Sequence, residues 1–225
     1  MKKPWLFLKL CGKNFARPKP STPKIAWKEC KPTFSLPEYS TMFKKLISEI
    51  ARSLKSRNIA YMIIGGQAVL LYGEPRLTRD IDITLACGNE RLKDILETAR
   101  SIGLKPLIKN IEEFTSRTMV LPVIEEKTGI RVDFIFSFTP YEKEAVKRAK
   151  KITMEGVEVA FASPEDLIIH KIFSGRPRDT EDVKNVLLKN RTDESYIEKR
   201  LSEFDASFPE KKFLRTFKKL LKETQ

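Results

Sequence analysis

The stretch that decides the fold is GGQAVLLYGEPRLTRDIDI, residues 65–83. Ahead of it, IAYMIIGG is an apolar run ending at Gly65 and Gly66, the pattern of a buried strand. QAVLLYG then reads as a short helix closed by Gly73, and PRLTRDIDITLACG as a loop entering a strand at Asp80–Leu85. Glycines let a backbone approach a phosphate, and the free N–H groups and dipole of a helix N-terminus favour negative charge. Taken alone, a glycine pair marks only a tight turn. The acids of the next strand give it more meaning. Successive strand side chains point to opposite faces, so Asp80 and Asp82 share one face while Ile81 and Ile83 enter the core. Two carboxylates so placed repel each other unless a cation lies between them, and Mg2+ prefers carboxylate oxygens together with substrate phosphates.

A third acid stands in IRVDFIF, residues 130–136, where Val132, Phe134 and Phe136 alternate with Arg131, Asp133 and Ile135. An acid in a mostly apolar strand needs a partner or a metal, because burying an unpaired charge is costly. Three carboxylates from neighbouring strands can hold two Mg2+ ions, with Mn2+ as an alternative. One ion would bind the triphosphate of a nucleotide and the other would lower the pKa of an attacking hydroxyl, leaving Asp133 as the candidate base. Arg76 and Arg79 flank Thr78 just before the metal strand, where they can clamp phosphate oxygens or simply stand in a solvated loop. His170, the single histidine, reads as a helix-surface or packing residue rather than a base.

The rest of the chain supplies a frame. EYSTMFKKLISEIARSLKSRN, residues 38–58, places Phe43, Leu46, Ile47, Ile50, Ala51 and Leu54 at helical spacing. NERLKDILETARSIG predicts a second amphipathic helix, with Asn89 as N-cap and Gly103 as its stop. Residues 118–137 read as a hairpin turning at KTG, followed by a helix at PYEKEAVKRAKK and a shorter hairpin turning at Glu155–Gly156. SPEDLIIHKIFSG opens with a Ser cap and a Pro at the first helical position. Helical patterns then run to the end. The expected class is α+β: a small mixed sheet flanked by helices, with a helical C-terminal part. The expected division is a Pro-rich basic arm at 1–37, a catalytic domain at 38–162, and a helical region at 163–225 that completes the site.

The order Gly-Gly, about a dozen residues, Asp-x-Asp, then a later strand Asp resembles the DNA polymerase β-type nucleotidyltransferase superfamily over roughly residues 41–190. That resemblance implies the superfamily's fold and a Mg2+-dependent transfer of a nucleotide from an NTP to an acceptor hydroxyl. RLTRDIDI followed by SPEDLIIHKIFSGRPRDTEDV is similar to the AbiEii-like toxin and related minimal nucleotidyltransferase groups. There a helical Lys precedes an Arg-Asp pair that opens the next helix. These match Lys171, Arg178 and Asp179, with Asp182 one turn on. The likeness implies that Lys171 contacts the triphosphate and that Asp179 or Asp182 supports the site. Asp179, nearer the helix start, is equally read as an N-terminal cap. Many superfamily members carry Gly-Ser where this chain has Gly65-Gly66, which removes a hydroxyl contact to phosphate.

Charge placement bears on the acceptor. The 225 residues hold 43 Lys+Arg and 30 Asp+Glu, a formal charge of +13. Residues 1–40 supply +7 and residues 209–225 supply +4, so the middle is nearly neutral. Basic ends attract a phosphate backbone without reading its sequence, which favours an RNA acceptor such as tRNA, with Trp5, Phe7, Phe15 and Trp27 available to stack on bases; the arm reads equally as a solvated tail or a partner-binding segment. The other readings are a small-molecule acceptor, a partner protein such as the second member of a toxin–antitoxin pair, or a silent binding module. A further one is attachment of KKPWLFLKL to an anionic membrane. Three cysteines and one histidine provide neither a disulfide framework nor a zinc finger. No apolar run approaches the ~20 residues of a membrane span, and the N-terminus reads as a basic arm rather than an export signal, so the expected location is the cytoplasm. Deleting residues 1–37 is expected to weaken RNA binding and flatten its dependence on salt. Filter-binding titrations at several salt concentrations measure this, and an unchanged affinity and slope would remove the arm from the mechanism.

Overall fold

Phe43, Leu46, Ile47, Ile50, Ala51 and Leu54 are all buried, and their stripe sets helix α1 (Leu36–Ser56) against the sheet. The computed structural model describes residues 36–208 and 210–224. The basic arm expected over 1–37 therefore lies outside the described residues, except that Leu36 and Pro37 open α1. Next come β1 (Tyr61–Ile64), α2 (Gly65–Tyr72) and β2 (Asp80–Leu85), then α3 (Leu92–Ser101), β3 (Lys105–Pro106) and α4 (Ile111–Thr118). The hairpin β4 (Val120–Glu125) and β5 (Ile130–Phe136) leads through α5 (Pro140–Lys147) to a second hairpin, β6 (Lys150–Met154) and β7 (Val157–Phe161). Four helices complete the order: α6 (Pro164–Ser174), α7 (Pro177–Lys189), α8 (Glu194–Ser207) and α9 (Phe213–Lys222).

The strands form one seven-stranded sheet in the order β3-β4-β5-β2-β1-β7-β6. β2 and β5 run parallel, as do β1 and β7, and the other neighbours are antiparallel. The sheet is mixed, as the alternation patterns predict. The turn between β6 and β7 falls at Glu155 and Gly156, both at positive φ, as a tight two-residue hairpin turn requires.

One local expectation needs correction. Asn89 does not cap the following helix; it begins a short 3-10 turn, Asn89–Arg91, and α3 starts only at Leu92. The cause is Glu90, whose Oε1 accepts the Gly88 N–H at 3.0 Å and closes a tighter turn first. α4 and the two-residue β3 lie in residues 104–118, where the sequence pattern predicts no element.

The C-terminal helices are tied to the sheet layer through one carboxylate. Ser163 caps α6 by accepting the Asp166 N–H at 3.1 Å, with Pro164 at the first helical position. Asp166 is fully buried and accepts from Tyr141 Oη (3.0 Å), Arg148 Nε (3.2 Å) and Nη2 (2.8 Å), Tyr196 Oη (3.0 Å) and Ser163 Oγ (3.0 Å). One side chain thus joins α5, α6 and α8. The Arg148 guanidinium also lies 4.5 Å from the centre of the Tyr196 ring. Phe213 of α9 stacks on Phe173 of α6 at 5.1 Å, extending the same packing.

Burial pushes the Asp166 carboxyl up, but the hydrogen bonds and charge of Arg148 outweigh it and hold the group below its ordinary value. Its contribution to stability is therefore present above an unfolded-state pKa of about 4 and is lost as pH falls through the lower folded value. Asp166→Asn is expected to destabilise the chain by about 3–5 kcal/mol in urea unfolding at pH 7, because it leaves Arg148 without its charge partner. The difference from the parent chain should shrink as the pH is lowered past 4, and a loss that stays constant with pH would contradict this assignment.

Candidate active site

β1 and β2 pair so that Ile64 stands opposite Asp82, and the chain leaving β1 passes the Asp82 carboxylate at once. Gly65 has φ +63°, and a Cβ there would lie 2.0 Å from Asp82 Oδ2. At Gly66 a Cβ would lie 2.4 Å from Thr78 Oγ1. The glycine pair is thus fixed by what packs on it: Asp82 on the first and Thr78 on the second. α2 begins at Gly65 with no side-chain cap, so its first-turn N–H groups are left for a partner outside the helix.

The parallel pairing of β2 with β5 sets Asp82 opposite Asp133 and Asp80 opposite Arg131. Burial first, then the charges of Asp133 and Asp80, push Asp82 up to about 7, while Lys171 and Arg176 pull it down. Burial also raises Asp133, and the Arg131 guanidinium, 3.5 Å from Asp133 Oδ1, opposes that rise. The three acids therefore meet on adjacent strands and act on one another. Among the described residues, no group of three or more His, Cys, Asp or Glu side chains is already gathered at metal-holding distances. The donor chemistry nonetheless fits a hard divalent cation: carboxylate oxygens on one face, with an unmet demand for positive charge at Asp82.

On the helical side, Lys171 of α6 is buried, and its Nζ lies 2.7 Å from both Asp179 Oδ1 and Asp182 Oδ2 of α7. Asp179 also accepts the Arg176 N–H at 3.2 Å, so it caps α7 and binds Lys171 together. Arg76 donates through Nε and Nη2 to the two oxygens of Asp182, each at 3.1 Å. Arg76, read from the sequence as a phosphate clamp or a solvated loop residue, is half-buried in this pair. Its guanidinium ties the loop before β2 to α7. Thr78 is half-buried on Gly66, while Arg79 and Arg178 are exposed.

Two charged residues near the acids escape the sequence motif. Arg176 acts electrostatically on Asp82, although the motif points only to Arg178, two residues later. Arg131 sits two positions before Asp133 on the same strand face, a relation that the period-two alternation carries. His170 has a buried Nε2 and packs against the Tyr141 ring at 5.8 Å, the packing role expected of it.

A family model described as "Nucleotidyltransferase of unknown function (DUF6036)" matches residues 41–224. A search of curated proteins gives no match. Among solved structures, the antigenic nucleotidyltransferase-like protein from Paracoccidioides brasiliensis is 18% identical, with 80% of this chain and 91% of that chain covered and a TM-score of 0.51. The antibiotic-resistance factor ANT(2'')-Ia is also 18% identical, with 76% and 95% covered and a TM-score of 0.54. The same factor in complex with adenylyl-2''-tobramycin is 16% identical, with 74% and 99% covered and a TM-score of 0.52. The α+β nucleotidyltransferase fold expected from the sequence is the fold observed.

Gly65→Ala is expected to cost about 1–2 kcal/mol from the left-handed backbone alone. The full cost should be larger, because the Asp82 carboxylate must also move from 2.0 Å. In an Asp82→Ala background only the 3.2 Å contact with the residue-82 Cβ remains, so the penalty should fall back towards the backbone value. Urea unfolding of this double-mutant cycle measures the difference, and equal penalties in both backgrounds would refute the contact.

Proposed function

Because this chain belongs to the DUF6036 nucleotidyltransferase family and its fold sets three carboxylates beside a glycine-opened helix, we propose that it transfers a nucleotidyl group from an NTP to an acceptor hydroxyl. The observation that carries this reading is the register of β2 and β5, which puts Asp82 opposite Asp133 within two residues of Asp80. Asp80, Asp82 and Asp133 would hold Mg2+, or Mn2+ in its place, which when bound neutralises phosphate charge and makes the attacking hydroxyl more acidic.

The remaining work belongs to the chain itself. Backbone N–H groups of Gly65 and Gly66 receive a phosphate oxygen at the α2 N-terminus. Lys171 exchanges part of its pairing with Asp179 and Asp182 for the triphosphate, and the exposed Arg79 and Arg178 add charge-assisted contacts. The acceptor oxygen attacks the α-phosphorus, the bond to the bridging oxygen breaks, and pyrophosphate leaves. Asp133 takes the proton from the attacking hydroxyl. In this reading residues 38–162 supply the carboxylates and residues 163–225 supply Lys171 and its acids.

The acceptor we favour is RNA, such as tRNA, in a toxin-like role akin to the AbiEii-like groups. Its support is the +4 charge of residues 209–225, where Lys211, Lys212, Arg215 and Lys219 are exposed. The second reading is a small-molecule acceptor, prompted by the adenylyl-2''-tobramycin complex of a structural neighbour. Among the described residues no helix is long and apolar enough to cross a membrane, and a cytoplasmic location remains part of the proposal.

Incubating the full chain with Mg2+, each labelled NTP, and total tRNA or no acceptor tests this directly. Label is expected to enter tRNA and to fall by about 100-fold or more in Asp80→Asn, the scale on which losing one preorganised charge acts. Failure to transfer any of the nucleotides to RNA, to small hydroxyl compounds or to protein would end the enzyme reading.

A further inference from the structure

Lys171, Asp179, Asp182 and Arg76 form one connected cluster of charge. Lys171 Nζ lies 2.7 Å from Asp179 Oδ1 and 2.7 Å from Asp182 Oδ2, and Arg76 reaches Asp182 across 106 positions of sequence. Lys171 and the two acids alone would carry one negative charge in excess. Arg76 makes the group neutral. The side chains of Lys171, Asp179 and Asp182 are only 10%, 6% and 5% exposed, so water and salt screen these charges weakly.

The sharing of oxygens sets Arg76 against Lys171. Arg76 Nε donates to Asp182 Oδ1, while Arg76 Nη2, at 3.1 Å, and Lys171 Nζ meet on Oδ2. Guanidinium and ammonium thus compete for one oxygen, and Arg76 holds the whole carboxylate in a fork that an ammonium cannot match. Among the described residues Asp182 accepts from no other side chain. Without Arg76, Asp182 would have Lys171 as its sole bonded cation. A buried carboxylate keeps such a partner, because losing it strands the charge.

Lys171 stands close enough to the strand acids to pull the Asp82 carboxyl down. An ammonium has three N–H bonds, and Asp179 and Asp182 use two of them. A triphosphate that approaches the strand acids meets this ammonium and the two carboxylates behind it. A neutral cluster lets the phosphate charge draw on Lys171, whereas a cluster with excess negative charge repels the phosphate and retains the ammonium.

Resting on the nucleotidyl-transfer reading, we propose that Arg76 is a positioning residue that makes Lys171 available to the triphosphate. It acts through Asp182: by holding that carboxylate it weakens the claim of Asp182 on the ammonium and cancels the excess charge behind it. Arg76 needs no phosphate contact of its own for this.

Calorimetric titration of the full chain with Mg2+ and each of the four NTPs, without acceptor, tests the assignment. Variants are compared on the NTP that the parent chain binds most tightly. Arg76→Gln is expected to raise Kd about tenfold or more, the scale of one uncompensated buried charge. Adding Asp182→Asn in that background removes the competing carboxylate and should return Kd to within about threefold of the parent value. Asp182→Asn alone keeps Arg76, so it reads the same competition without the first substitution, and it should bind the NTP at least as tightly as the parent. Thermal midpoints establish that each chain is folded at the titration temperature. If Arg76 serves only the fold, or touches phosphate itself, the double variant stays as weak as Arg76→Gln, and that result would overturn the proposal. Weaker binding in Asp182→Asn alone would overturn it too. An unchanged Kd in Arg76→Gln would remove this role and leave the transfer reading standing, whereas no NTP binding by the parent chain would end both.

Discussion

The Asp82 carboxylate occupies the volume that a side chain at residue 65 would need. Much of the local architecture depends on that contact. The residue must be glycine, its backbone takes φ +63°, and the chain turns from β1 into α2 beside the acid. The next residue must be small as well, because Thr78 packs on Gly66 from the loop that leads into β2. The open N–H groups at the start of α2 and the Asp82 carboxylate are thereby brought side by side by packing alone.

Electrostatics then assigns partners. Asp80, Asp82 and Asp133 gather negative charge on β2 and β5, and the cations that act on them come from three places: Arg131 on β5, Lys171 on α6 and Arg176 at the start of α7. Lys171 and Arg76 are balanced in turn by Asp179 and Asp182. Such buried pairs contribute little net stability, since desolvation offsets most of their attraction, but breaking one leaves a charge stranded. They act as a register between the helical part and the loop that carries Thr78. Asp166 serves a similar end on the other side of α6, where one carboxylate collects donors from α5, α6 and α8.

Local physics is legible in the sequence where its period is strong. The strands flanking the glycine pair, the Asp-x-Asp strand, both hairpins and the Ser163 cap all arise from alternation, turn residues and capping rules that act over a few residues. α4 is not legible, because its buried positions include Thr115 and Thr118, polar residues that hide the apolar stripe. Asn89 misleads because a competing side chain, Glu90, reaches back to the backbone first. The bond between Arg76 and Asp182 spans 106 positions, and no local pattern encodes it. The family likeness points to Lys171, Asp179 and Asp182 as a set; only the fold shows that Lys171 bridges both acids.

The proposed function requires Asp80, Asp82 and Asp133 to form one cation site beside the α2 N-terminus. Electron paramagnetic resonance of Mn2+ titrated into the full chain with ATP measures that site without any need for turnover. A saturable bound-Mn2+ population is expected, lost in Asp82→Asn and retained in Glu113→Gln, a change at an exposed acid of α4. Equal Mn2+ binding by the parent chain and Asp82→Asn would contradict it.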